Sequence, residues 1–170
     1  MAEEKTYDGL LGSFRYSYGA SDSPVYKGYV VLSALLALVV ALFFALALVV
    51  LIAGTLGAAE TITLVRSFFV LVGLLVVAPI IAPVLLVARR HRKRLGTGSS
   101  YDTALALGGF LFMAALYLGL VISVPSALQE STGGALGGIV AVLYGLPSLL
   151  GFVPPVLAAA LIVVLHRRYR

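Results

Sequence analysis

The chain alternates between long stretches without a charged residue and short charged punctuation. Four apolar stretches run from Gly28 to Ala59, Ser67 to Ala88, Thr103 to Gln129 and Ser131 to Leu165. A helix rising ~1.5 Å per residue needs roughly 20 residues to cross ~30 Å of hydrocarbon, and each stretch exceeds that. The pattern predicts four membrane-spanning helices, at about 29–53, 65–88, 103–124 and 140–165. Ser21-Asp22-Ser23-Pro24 reads as a helix start, with Ser23 as N-cap and Pro24 at the first helical position. Gly54-Thr55-Leu56-Gly57 closes the first span, and Pro125, which has no N–H to continue a helix, closes the third. Ser100 caps the third, with Asp102 in its first turn facing the positive end of the helix dipole. The connections at about 54–64 and 125–139 are too short to form a domain outside the membrane.

Composition agrees with this pattern. A chain of 170 residues that is 61% hydrophobic and 11% charged carries more apolar surface than a domain of this size hides from water, so lipid takes up the rest. The expected fold class is all-α: a polytopic bundle of four transmembrane helices over residues 29–170, preceded by an N-terminal segment, 1–28. In that segment Tyr7, Leu11, Phe14 and Tyr18 fall at i, i+4, i+7 and i+11, the stripe of a short helix lying in the membrane interface. Gly9 and Gly12 weaken such a helix, and a tail ordered only by its tyrosines is the competing reading. Glu3, Glu4, Asp8 and Asp22, together with the length of the apolar run that follows, are unlike a cleaved signal peptide, so the first span is expected to stay as an anchor. With no cysteine there is neither a disulfide framework nor thiol chemistry.

Charge then orients the spans. With the N-terminus cytoplasmic, the inner side holds Lys5, Arg15, Lys27, Arg89, Arg90, Arg92, Lys93, Arg94, Arg167, Arg168 and Arg170, and the outer side only Arg66. This is the positive-inside bias, and it predicts both termini in the cytoplasm of a cell with its protein in the cell membrane. The run "VARRHRKRLGTGSSYD", 87–102, becomes an inner loop whose bases meet anionic headgroups at about 1 kcal/mol each. No stacking aromatics are interleaved in it, so nucleic acid is not the expected partner. His91 inside the run is expected to be solvated, and Arg66 to snorkel to outer headgroups.

Small residues mark candidate helix-packing faces. Ser33, Ala37, Ala41 and Ala45 form a ladder on the first span, Ala115, Gly119 and Ser123 one on the third, and Gly133, Gly137, Ala141 and Gly145 one leading into the fourth. Close backbone approach at such residues is a main source of association between helices in lipid. Contact within one chain and contact between chains are both open. Pro79 and Pro83 in the second span, and Pro147, Pro154 and Pro155 in or near the fourth, are expected to kink helices, with a midplane ion or substrate site as the sharper alternative. Tyr7-Asp8 and Tyr101-Asp102 each precede a pair of spans whose second member carries prolines and ends in bases, as a parallel duplication of a helical hairpin would. The proline offsets differ by several residues, which chance in a low-complexity chain also produces.

No Asp, Glu, Lys, Arg or His falls deep within a predicted span, which argues against coupled proton or cation transport. No paired-acid, metal-ligand or nucleophile-plus-base spacing is present, so neither a cofactor nor an enzyme activity is expected. The leading expectation is a scaffold or accessory subunit that assembles with itself or with another membrane protein through the small-residue faces. The alternative is an oligomeric passive channel or small transporter lined by the proline-bearing spans. At "YDGLLGSFRYSYGASDSPVYKGYV", residues 7–30, the chain resembles a family of small integral membrane proteins of halophilic archaea with no assigned function. That resemblance implies four spans in an archaeal cell membrane and assigns no catalytic or binding residues. The basic inner loops depart from the acidic surfaces of soluble halophilic proteins.

Overall fold

A computed structural model describes residues 9–55, 61–94, 98–130, 133–134 and 137–169, with the side chains of 61–63 left aside. The described residues are helical or irregular, without strands, in the order α1 (Gly9–Ala20), α2 (Pro24–Gly54), α3 (Thr61–Arg92), α4 (Ser99–Ile122), α5 (Gly137–Tyr144) and α6 (Val153–Arg168). Four helical segments are long and apolar enough to cross a membrane: Pro24–Gly54, Leu64–Arg92, Ser99–Ile122 and Ser148–Arg168. The chain divides into two compact units, residues 1–103 and 104–170.

The first unit is an antiparallel pair, α2 and α3, with α1 packed against both. α2 starts as its sequence dictates: Pro24 lies in the first turn and Ser23 Oγ accepts from Tyr26 N at 3.2 Å, satisfying one of the free N–H groups of a helix start. α1 buries Ser13 and Ser17, one turn apart, and leaves Leu11 82% and Tyr18 46% exposed. It docks by its small face and turns apolar side chains outward, the reverse of a helix on a soluble core. Tyr7, the first member of the expected stripe, lies outside the described residues, as does Asp8 of the expected repeat.

α3 keeps its helical course through Pro79 and Pro83. The missing N–H groups leave the carbonyls of Leu75 and Pro79 without their usual donors. α2 braces the same region, because Tyr29 donates its hydroxyl to Ile80 O at 2.5 Å and Tyr26 to Val84 O at 3.5 Å, each the residue following a proline. Tyr26, Tyr29, Ile80 and Val84 are fully buried.

In the second unit the last apolar stretch, expected as one helix over about 140–165, is broken. α5 ends at Tyr144, a turn follows through Gly145 and Pro147, 148–152 forms a 3-10 segment, and α6 begins at Val153. Pro147 precedes the 3-10 segment, where Leu150 N donates to Pro147 O at 2.8 Å, and α6 carries its prolines in the first turn. A first-turn N–H has no intrahelical acceptor in any case, so these prolines open helices rather than kink them. Gly133 precedes α5 and is not on a helix with Gly137 and Ala141. α4 packs antiparallel to α6, with Gly108 facing Ile162 and Leu165, and Gly119 facing Gly151 and Pro155.

Candidate functional site

The basic run is largely helical. α3 continues to Arg92 and α4 starts at Ser99, so the connector is only 93–98, and Ser100 lies within the first turn instead of capping it. The last turn of α3 thereby meets the first turn of α4. His91, expected in solvent, has a side chain only 6% exposed, and its Nε2 lies 2.9 Å from Oδ2 of Asp102, whose side chain is 2% exposed. The connection between α1 and α2 closes over the pair: Ser21 Oγ donates to the same Oδ2 at 2.5 Å and accepts from Ser23 N at 3.3 Å. Ser23 Oγ also lies 2.7 Å from Thr103 Oγ1, which bonds back to Ser99 O at 2.8 Å.

Three segments distant in sequence therefore converge on one carboxylate. Asp102 sits at the positive end of α4 and His91 at the negative end of α3, so both helix dipoles favour an anion and a cation at these positions. The second oxygen, Asp102 Oδ1, is buried and has no hydrogen-bond partner among the described residues. Chemically this is a brace and not a nucleophile. A serine is activated when a base takes its proton, whereas Ser21 and His91 both engage the carboxylate and not each other. Among the described residues no group of three or more His, Asp or Glu could hold a metal ion.

Cations on aromatic faces surround the brace. The Arg90 guanidinium lies 4.0 Å from the centre of the Tyr101 ring, Arg92 5.1 Å from Tyr16, and Lys27 5.7 Å from Tyr18. Arg89, Arg92, Lys93 and Arg94 are exposed, as are Arg167 and Arg168 of α6, while Arg170 lies outside the described residues.

The small-residue positions separate into distinct settings. Ser33 is buried and bonds back to Val30 O at 3.1 Å. Ala37 is half-buried, and Ala41 and Ala45 line an apolar groove of about 310 Å³ between α2 and α3 with Phe44, Leu48, Phe69 and Gly73. Ala115 and Gly119 are buried, and Ser123 Oγ donates to Ser148 O at 3.3 Å. Gly137 is half-buried, and Ala141 and Gly145 are exposed. At the far end of the α2–α3 pair, Arg66 closes the C-terminus of α2: Nη2 donates to Thr55 O at 3.0 Å and Nε to Thr55 Oγ1 at 3.1 Å. A cation satisfying the last carbonyls of a helix also answers its dipole.

The chain belongs to the family described as a domain of unknown function (DUF8056), whose model matches residues 1–170. No curated protein and no solved structure matches it.

Proposed function

We propose that the protein is a non-enzymatic, multi-pass protein of the cell membrane, with both termini cytoplasmic, that works by assembling with other membrane-embedded helices as a scaffold or accessory subunit. The observation that carries this reading is the state of α2. From Ala34 to Thr55 none of its residues is buried, although α2 is the most apolar of the candidate spans, whereas α4 buries a residue on nearly every turn. A long span that buries so little of its own surface is free to take a further helix, and van der Waals contact is available along its exposed Leu35, Leu38 and Leu42 face.

The polar groups support the same reading. Ser21 and His91 are both spent on Asp102, and the two tyrosine hydroxyls of α2 reach Ile80 O and Val84 O, so the polar contacts here hold one helix against another. In the salt-rich archaeal setting that the N-terminal segment resembles, the Debye length falls to ~3 Å near molar salt, so exposed bases are screened and contact at helix faces carries the specificity.

Extraction from the native membrane in mild detergent, followed by absolute mass and identification of bound polypeptides, tests the assembly. The expected species contains more than one chain, either copies of this one or a stoichiometric membrane partner. A stable single chain without bound polypeptide overturns the reading. Cysteines at Gly98 and Ser126 test orientation, the first being shielded from impermeant reagents in intact cells and the second accessible.

A further inference from the structure

We infer that the outer half of the α2–α3 pair is a binding site for an anionic phospholipid, with the phosphate on Arg66 and one apolar chain in the groove below it. Two independent features meet there. The first is the groove, about 310 Å³, walled by Ala41, Phe44, Ala45 and Leu48 on α2 and by Phe69, Gly73 and Val77 on α3. It exists because small and large residues face each other: Gly73 is buried against the Phe44 ring, which packs on Phe69 at a centroid distance of 5.0 Å, while Ala41 and Ala45 leave the side toward the bilayer low. The α2 wall from Ala41 to Leu48 spans about 10 Å of helix, the scale of an extended chain segment and not of a globular ligand.

The second feature is the cation at the groove's end. Arg66, Phe69, Gly73 and Val77 recur at i, i+3, i+7 and i+11, so the guanidinium stands on the face of α3 that walls the groove. Across from it, Leu48 and Thr55 are seven apart on the corresponding face of α2. The bonds from Arg66 to Thr55 fix the side chain through Nε and Nη2, and none of the described carboxylates pairs with it. Nη1 makes no hydrogen bond to a described residue, and a guanidinium presents its donors in the geometry that phosphate oxygens accept. An apolar trough ending in a pre-oriented cation matches the two ends of a phospholipid.

The site presupposes that the chain lies in a bilayer, and the test separates the two claims. Full-length protein is placed in nanodiscs, and insertion is read from co-elution with the disc. Phosphatidylglycerol with a photoreactive acyl chain is the probe. Label is expected on peptides 41–48 and 69–77, chased by unlabelled phosphatidylglycerol and not by phosphatidylcholine. Arg66→Gln is expected to lower labelling about tenfold, the scale of one charge-assisted hydrogen bond. Ala45→Phe fills the trough and removes label while Arg66 stays. Thr55→Val removes the Oγ1 half of the clasp, leaves the bond to Thr55 O and keeps the charge, so labelling persists if the guanidinium holds phosphate. Inserted protein labelled equally by phosphatidylcholine with the same photoreactive chain overturns the site, as does labelling that survives Arg66→Gln. A groove blocked by a second polypeptide, seen as label on a partner chain alone, also overturns it.

Discussion

In the first unit the ends of α3 and α4 and the bend before α2 meet on one carboxylate oxygen, whereas in the second α4 meets the 148–152 segment where Gly119 and Gly151 leave no room for a side chain. Both are answers to one problem. For helices this apolar, placed in lipid as proposed, the hydrophobic drive between them is lost, so association has to come from hydrogen bonds or from backbone closeness. The two solutions differ in what they cannot tolerate: the polar brace fails when a partner is lost, and the glycine contact fails when volume is gained.

The largest expected effect lies in the brace. His91→Ala leaves the buried Asp102 carboxylate with Ser21 as its one side-chain donor among the described residues, and losing a hydrogen bond to a carboxylate costs about 1.5–3 kcal/mol, for which the buried and unpartnered Oδ1 allows no compensation. The loss should appear as a lower midpoint in denaturing-detergent titrations followed by circular dichroism. An unchanged midpoint would mean that water, not protein, compensates Asp102, and the comparison with the glycine contact would collapse.

The glycine contact comes next. A Cβ on Gly151 would stand 2.6 Å from Gly119 O, and one on Gly119 would overlap Gly151 O. Since backbone cannot yield as a side chain can, Gly119→Ala, whose Cβ meets the Gly151 carbonyl first, is expected to cost about 1–3 kcal/mol by overpacking. Gly73→Ala is the control, because the atom in its way is the Phe44 ring, which can rotate. Equal costs at the two glycines would break the claim that backbone closeness distinguishes the second unit.

Smaller still is the tyrosine brace on α3. Tyr29→Phe deletes a 2.5 Å bond to Ile80 O and is expected to cost about 0.5–1.5 kcal/mol, with Tyr26→Phe costing less because its bond is 3.5 Å long. The order of the two midpoints is the measurement. Reversal would place the bracing of α3 at Pro83 rather than Pro79.

These same elements show how far the sequence could be read. Four apolar stretches, the Ser23-Pro24 start and the prolines were all visible, because each acts within a few residues of chain. The break at Gly145–Pro147 was visible in principle: glycine and proline fall together there, and two further prolines follow, which suits a helix start better than a helix middle. α3 keeps its course through Pro79 and Pro83 with two tyrosines of α2 bonded beside them, and no local pattern announces that support. The brace was hidden for the same reason. His91 and Asp102 are eleven residues apart and face one another only because α3 and α4 each run further than hydropathy alone suggests, a basic helical end being indistinguishable in composition from a basic loop. Ser21 is more distant again, and nothing in its own segment points to position 102.

The smallest effect sharpens the comparison most. His91 lies among five bases, of which Arg89 and Lys93 are exposed. Exposed side chains away from caps and buried pairs change stability by about 0.5 kcal/mol or less. Arg89→Gln with Lys93→Gln should therefore leave the denaturation midpoint where it was, while His91→Ala moves it. The double variant removes two charges from the run and the single variant removes an imidazole, so a ranking by charge alone predicts the opposite order. If the double variant proves the more damaging, the run acts through the membrane surface as a whole and Asp102 is not its anchor; if the midpoint holds, the buried histidine, and not the exposed Arg89 and Lys93 beside it, supplies the structural hold.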